Sequence, residues 1–164
     1  MDIFAHLLWT YIIFNRYKKL KLSLVFAAMP DVLSFGLLLF VGLFTGFSWA
    51  HPADQTVIPN WVGALYSITH SLVIIAAVFL IVYLIFRTIP IYLLAWPVHV
   101  AIDIFTHSLK FFPTPFLWPI SNWHFPYGIS WGTLWFMVVN YVAIVSCIVY
   151  INRKKIKKQL KKIF

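Results

Sequence analysis

Residues 99–107 read HVAIDIFTH and place three polar side chains inside an apolar run that extends from Ile89 to Leu109. His99, Asp103 and His107 are spaced four residues apart, and residues at this spacing lie on one face of a helix. A carboxylate at bilayer depth costs at least about 2.5 kcal/mol, so it must face protein, water or a cation. The stretch therefore predicts a membrane helix whose polar stripe points into a helical bundle.

The composition is that of an integral membrane protein. Of 164 residues, 62% are hydrophobic and 10% are charged, whereas a typical soluble domain has about 25% charged residues. The net charge of +9 would suggest nucleic-acid binding in a soluble protein. Here, however, seven of the thirteen basic residues lie between Arg153 and Lys162, directly after an apolar run. This placement favours anionic membrane lipid as the partner and argues against nucleic acid.

The apolar runs predict an all-α, polytopic transmembrane helical bundle. They cover residues 3–14, 22–50, 61–86, 89–109 and 129–151. The first run has 12 residues, which is short for a span, so we expect a short membrane-embedded helix followed by about four spans. We expect Pro30 to kink or break the second run, and the prolines of residues 111–126 to forbid a regular helix there.

The distribution of basic residues predicts the orientation of the bundle. The cluster at 16–21, Arg87 and the tail can all be cytoplasmic if the segments at 51–60 and 110–128 face outward. The expected organisation is one membrane-embedded helical domain, residues 1–152, and a basic cytoplasmic tail, residues 153–164. The predicted location is the cell membrane, with several passes.

Polar residues on different runs fall at similar depth. A residue ten positions from a helix end lies roughly 15 Å into the bilayer, near its midplane. Asp31 is ten residues after Lys21, and His6 is ten residues before Arg16. We therefore expect groups from different helices to meet in one layer.

Histidine and aspartate together favour a divalent metal, with Zn²⁺ expected and Mn²⁺ or Fe²⁺ as further possibilities. His99 and His107 are roughly 12 Å apart along a helix axis, which disfavours their sharing one ion. Either one of them orients a ligand, or two ions are bridged by Asp103. The candidate metal ligands are His6, Asp31, His70, His99, Asp103 and His107. Asp103 and His70 are also the candidate catalytic residues.

Simpler roles remain open for some of these residues. A single histidine in a membrane helix commonly makes an interhelical hydrogen bond, which could account for His6 or His70 alone. Asp31 follows a proline and could cap a broken helix. Residues 68–72 and 105–109 share the pattern Thr-His-Ser-Leu, which suggests two similar ligand corners without establishing a duplication.

These pieces together resemble the YdjM-like family of membrane-bound metal-dependent hydrolases. The resemblance rests on the early His6, on Met29-Pro30-Asp31, on residues 69–72 (THSL), on residues 99–103 (HVAID) and on residues 115–119 (PFLWP). It implies hydrolysis and implies His6, Asp31, His70, His99 and Asp103 as site residues; His107 is added from helical spacing alone. The chain departs from the family pattern in having Leu33 for a second Asp and Leu65-Tyr66 for His-Arg.

The function expected from these features is metal-dependent hydrolysis of a lipid or lipid-linked ester or phosphoester. The same His/Asp cluster would also suit a transporter or relay for metal ions or protons. A bis-histidine haem protein is a third reading, against which the central Asp103 argues. A structural membrane protein with a hydrogen-bonded polar core is the fourth.

Overall fold

The structure, a computed structural model, describes residues 1–45 and 58–163. Every named secondary-structure element in this part of the chain is a helix, which confirms the predicted all-α class. The α-helices are α1 (Ile3–Phe14), α2 (Leu20–Asp31), α3 (Leu37–Thr45), α4 (Asn60–Thr69), α5 (Leu72–Phe86), α6 (Ala95–Thr106) and α7 (Leu134–Ile163). A π-helical segment, Val32–Gly36, joins α2 to α3, and a 3₁₀ turn, Ile91–Leu94, precedes α6.

Two helical stretches are long and apolar enough to cross a membrane. They are Leu20–Thr45, with 26 residues, and Leu134–Lys155, with 22 residues. The pair α4 and α5 is bent by 54° and makes a third candidate if it is one broken span. The helix Ile3–Phe14 has the bounds predicted for the first apolar run and is too short to span.

The third apolar run was predicted as one span, and the structure instead divides it at His70. α4 ends at Thr69, and Ser71 begins α5 as its N-cap, because the Ser71 Oγ accepts bonds from the N–H groups of Val73 and Ile74 at 3.1 Å. The Ser71 hydroxyl also donates to the carbonyl of Trp118. A capping serine therefore starts a new helix and leaves His70 at the bend.

Pro30 neither breaks the second run nor leaves Asp31 as a helix cap. The helix continues through Pro30, and the wider π-helical turn Val32–Gly36 follows it directly. The carbonyl of Pro30 accepts the Ser34 hydroxyl at 2.8 Å, and Asp31 makes no side-chain cap bond. The local change from α-helical to π-helical hydrogen bonding thus accommodates Pro30 within a continuous helix. The carboxylate of Asp31 is not used as a cap and can take part in another interaction.

α6 ends earlier than the predicted run, and the proline-rich segment folds back over its end. His107 follows Thr106 with extended backbone angles, so it lies beyond the helix. The loop bonds to the last turn through Ile129 N to the Phe105 carbonyl at 2.9 Å and Trp131 N to the Thr106 carbonyl at 3.0 Å. Residues 108–133 contain no helix, as the prolines predicted.

Small residues let the helices approach closely around the polar centre. Ala5, Ala27 and Ala95 are fully buried where α1, α2 and α6 pack.

α7 begins five residues later than the predicted run and continues through the predicted boundary at 152 into the basic tail. The cytoplasmic location of that tail stays a prediction, as does the division into two parts.

Candidate metal centre

Four predicted site residues from three helical segments meet in the interior. Asp31, His70, His99 and Asp103 each direct one ligand atom to a common point, and all four atoms lie within 4.8 Å of one another. Asp31 ends α2, His70 lies at the bend after α4, and His99 and Asp103 lie one turn apart on α6. The prediction of a His/Asp group able to bind a metal ion is thereby confirmed.

The separations between these atoms match the edges of a tetrahedral metal site. Zinc bonds of about 2.0–2.2 Å at tetrahedral angles imply ligand atoms about 3.3–3.6 Å apart. The Nε2 atoms of His70 and His99 are 3.3 Å apart. The Nε2 of His70 lies 3.5 Å from the Oδ2 of Asp103, and the Nε2 of His99 lies 3.1 Å from it. The same two nitrogens lie 3.5 and 3.7 Å from the Oδ1 of Asp31. Five of the six distances among the four ligand atoms are therefore close to the edges of a tetrahedral site for one ion.

Main-chain carbonyls fix which nitrogen of each ring faces this centre. The Nδ1 of His99 lies 2.7 Å from the Ala27 carbonyl, and the Nδ1 of His70 lies 3.1 Å from that of Tyr66. A carbonyl only accepts, so Nδ1 must carry the proton in both rings. In a neutral ring the Nε2 atom then presents its lone pair to the centre, which is the tautomer that metal-bound histidines adopt when a carbonyl holds the other nitrogen.

Asp103 divides its two oxygens between two groups of residues. Its Oδ2 is buried and makes no hydrogen bond, although His70 and His99 lie close to it. A buried carboxylate oxygen without a donor is costly. Its position beside two histidine lone pairs is the observation that best fits a bound cation.

The Oδ1 of Asp103 faces a second set of groups. It lies 2.9 Å from the Nε2 of His6 and 3.4 Å from the Nε2 of His107, and it accepts a bond from the amino group of Met1. The Nδ1 of His107 donates to the Phe112 carbonyl at 2.6 Å. The amino group of Met1 also lies 2.9 Å from the Nε2 of His107.

His6 differs from His70, His99 and His107 in which ring nitrogen carries the proton, because its Nε2 faces a carboxylate, which only accepts. Its Nδ1 is buried and makes no hydrogen bond, while its Nε2 points at Asp103. The ring stacks on that of His99 with centroids 3.6 Å apart. This geometry makes His6 a donor that orients the carboxylate; the assignments of His6 and His107 as metal ligands stay predictions.

A cavity of about 370 Å³ reaches the centre from one side. Its lining includes Asp31 of the centre, together with Tyr66 and His107, which contact His70 and Asp103, respectively. Its walls are mostly apolar. The side chains of His70 and His99 are fully buried and that of Asp103 is 1% exposed, whereas that of Asp31 is 18% exposed. Asp31 is therefore the member of the four-residue group through which the cavity reaches the centre.

Sequence reasoning missed several supports of the centre. Tyr66 stacks on the ring of His70 at 3.9 Å and places its hydroxyl 3.2 Å from the Nδ1 of His107. Tyr66 precedes His70 by one helical turn, a spacing that could have drawn attention to it. The contact of Ser71 with the Trp118 carbonyl joins segments 47 residues apart and has no local sequence signal.

Comparison of the chain with protein-family models, with curated proteins and with solved structures gives no significant match.

Proposed function

We propose that this chain is a membrane-bound metal-dependent hydrolase whose intramembrane centre holds zinc, with manganese or iron as alternatives. One observation carries the proposal: the Nε2 atoms of His70 and His99 face each other 3.3 Å apart beside the Oδ2 of Asp103, which makes no hydrogen bond. Two nitrogen lone pairs at this distance repel one another unless a cation or a proton lies between them. Nitrogen and carboxylate donors in this number and spacing suit zinc.

The adjoining cavity favours catalysis over a purely structural ion. When bound, the cation supplies Lewis-acid chemistry, because it polarises an ester oxygen and acidifies water. His70, His99 and Asp103 hold the site, and Asp31 reaches the cavity, where its carboxylate can accept a proton from water. The proposed substrate is a lipid or a lipid-linked ester or phosphoester that enters from the membrane.

The proposal includes a four-pass arrangement in the cell membrane with a cytoplasmic C-terminal tail. Two contacts support it, since each joins residues that lie in or near two of the basic segments. Lys19 lies 5.7 Å from the ring of Tyr92, which follows Arg87 closely in the chain. Asn152, next to the basic tail, donates to the hydroxyl of Tyr11 at 3.4 Å. Cytoplasmic sides of membrane proteins carry such an excess of Lys and Arg.

We also propose that the chain is a divergent member of the YdjM-like family. The support is that Asp31, His70, His99 and Asp103, which carry the resemblance, converge on one point. Tyr66 stands in the segment where the family pattern has His-Arg, and it packs on His70.

The metal content of the purified protein in detergent tests the proposed function. We expect about one equivalent of transition metal per chain, lost in His70→Ala and Asp103→Asn because each removes a donor. His124→Ala is the matched control, because His124 lies in the loop outside the cluster. An absence of metal after reconstitution with Zn²⁺, Mn²⁺ and Fe²⁺ would contradict the proposal.

A transporter or relay for metal ions or protons is the second candidate. It is favoured by the continuous series of polar groups from Asp31 through His70, His99 and Asp103 to His6. Transport requires release on the other side of the membrane as well. Protein in liposomes with an internal pH or zinc indicator separates the two: flux without hydrolysis supports transport, and hydrolysis without flux supports the hydrolase.

A further inference from the structure

The cavity combines a polar inner end with an apolar wall on one helical face. The wall comes from Val32, Phe35, Gly36 and Leu39, at the junction of the π-helical segment and α3, and from the aromatic loop opposite. Val32 is 47% exposed and Leu39 is 55% exposed, so this wall continues onto the outer surface of an apolar helix. An apolar chain can therefore extend from the surrounding lipid to Asp31 without crossing a polar surface.

The charges around the cavity disfavour an anionic substrate. Its described lining contains two carboxylates, Asp2 and Asp31, and neither Lys nor Arg. The amino group of Met1 is already bonded to Asp103. With a divalent ion in the centre, the charges of that ion and of the Met1 amino group would be balanced by the carboxylates of Asp2, Asp31 and Asp103, which leaves no net positive charge. Sites for phosphoryl groups instead surround them with Arg, Lys or several metal ions.

From these observations we propose that the cavity binds a neutral carboxylic ester with a single acyl chain, and that the phosphoester part of the wider substrate class is excluded. The inference rests on the proposed hydrolase function and narrows it. The acyl chain lies along Val32, Phe35 and Leu39, and the ester carbonyl lies at the Asp31 end.

The proposed step is ordinary ester hydrolysis and balances with water alone. The water oxygen bonds to the carbonyl carbon, and the bond between that carbon and the alcohol oxygen breaks. Asp31 takes the proton lost by the water, and the departing alkoxide receives it. The products are a carboxylic acid and an alcohol.

Gly36 offers a way to test the position of the chain. A Cβ at Gly36 would lie 3.5 Å from the Cβ of Val32, an ordinary contact, so a side chain there fits the helix and projects beside the cavity wall. Gly36→Phe should fill the space that the chain would occupy. Gly63→Phe is the matched control, because a Cβ at Gly63 meets nothing within 4 Å.

The first arm measures hydrolysis of nitrophenyl esters with short, medium and long acyl chains, beside bis(nitrophenyl) phosphate, by zinc-loaded protein in detergent. We expect ester hydrolysis to exceed phosphodiester hydrolysis. In Gly36→Phe the rate of ester hydrolysis should fall about tenfold or more for long acyl chains and less for short ones, because a filled pocket rejects added methylenes. Gly63→Phe should match the unmodified protein. A preference for the phosphodiester, or equal behaviour of both glycine variants, overturns the inference.

The second arm measures binding without turnover. Trp131 lines the cavity, so a monoacyl glycerol ether with a brominated chain should quench its fluorescence. In Trp131→Phe part of the quenching should be lost, because the cavity reporter is gone. In Gly36→Phe the same part should be lost, because the chain site is filled. Trp135→Phe is the control, because Trp135 is exposed on α7 and is not among the cavity residues. Quenching that neither Trp131→Phe nor Gly36→Phe reduces overturns the chain site.

The two arms separate failure of this inference from failure of the proposed function. Hydrolysis of phosphoesters alone refutes the neutral-ester assignment and leaves the hydrolase intact. Specific quenching with no hydrolysis of any ester or phosphoester refutes the hydrolase, and the ester-cleavage step with it.

Discussion

The imidazoles of His70 and His99 meet through their Nε2 atoms at 3.3 Å, and each ring is held from behind by a main-chain carbonyl. Their mutual repulsion is relieved only by a cation or by a proton on one of the rings. This relationship links metal binding directly to the stability of the fold.

Zinc should therefore stabilise the protein against heat. At a free zinc concentration of one hundred times Kd, binding to the folded state alone contributes about 2.7 kcal/mol. We expect Tm in detergent, followed by tryptophan fluorescence, to rise with zinc and to return after chelation. In His99→Ala the rise should disappear, and in His124→Ala it should persist. An equal rise in both variants would show that zinc acts elsewhere.

His6→Ala should weaken zinc binding without changing its stoichiometry. His6 donates to the Oδ1 of Asp103, while the Oδ2 faces the centre. Loss of a residue that orients a ligand typically costs 10- to 100-fold in affinity, so we expect about that loss. Competition with a chromophoric chelator measures it. Complete loss of bound zinc would instead make His6 a ligand.

Gly128→Ala should destabilise the protein through the backbone of His107. A Cβ at Gly128 would lie 1.9 Å from the His107 carbonyl oxygen, so the loop must shift away from the end of α6. Overpacking of this kind typically costs about 1–3 kcal/mol. Thermal or denaturant unfolding in detergent compares it with Gly132→Ala, whose Cβ meets nothing within 4 Å. Equal stability of the two variants would contradict the described loop position.

Ser71→Ala should destabilise the bend between α4 and α5. The substitution removes the N-cap of α5 and leaves the carbonyl of Trp118 without its donor. Loss of an N-cap costs about 0.5–2 kcal/mol. Ser121→Ala, which removes an exposed bond to the N–H of Trp123, is the control in the same unfolding measurement. A greater loss in Ser121→Ala would argue against a capped bend.

The sequence predicted which residues form the centre more accurately than it predicted the local backbone geometry around them. Depth counting brought Asp31 and His6 to one layer; Asp31 lies in the four-residue group, and His6 bonds to Asp103 of that group. The i, i+4 spacing correctly placed His99 beside Asp103 at 3.1 Å. Such estimates succeed because helical rise and period are nearly constant.

The failures arise where helices end. Periodicity does not reveal that Ser71 starts a new helix, because the apolar pattern continues on both sides of it. Thr69-His70 and Thr106-His107 do correspond, since each threonine is the last residue of a helix and bonds to the carbonyl four residues earlier. The loop return at Gly128 depends on long-range contacts that no local pattern encodes.

The bend at His70 separates a part of the chain that should accept substitutions during evolution, α5, from a part that should not, residues 69–71. α5 is apolar along its whole length, and most of its side chains are at least partly exposed. Its links to the centre are the capped end at Ser71 and the buried Ile75, which packs with Trp96 and Val100 of α6. Exchange among Leu, Ile, Val and Phe at the exposed positions of α5 should therefore be nearly neutral in evolution, whereas the three residues 69–71 should tolerate almost no drift.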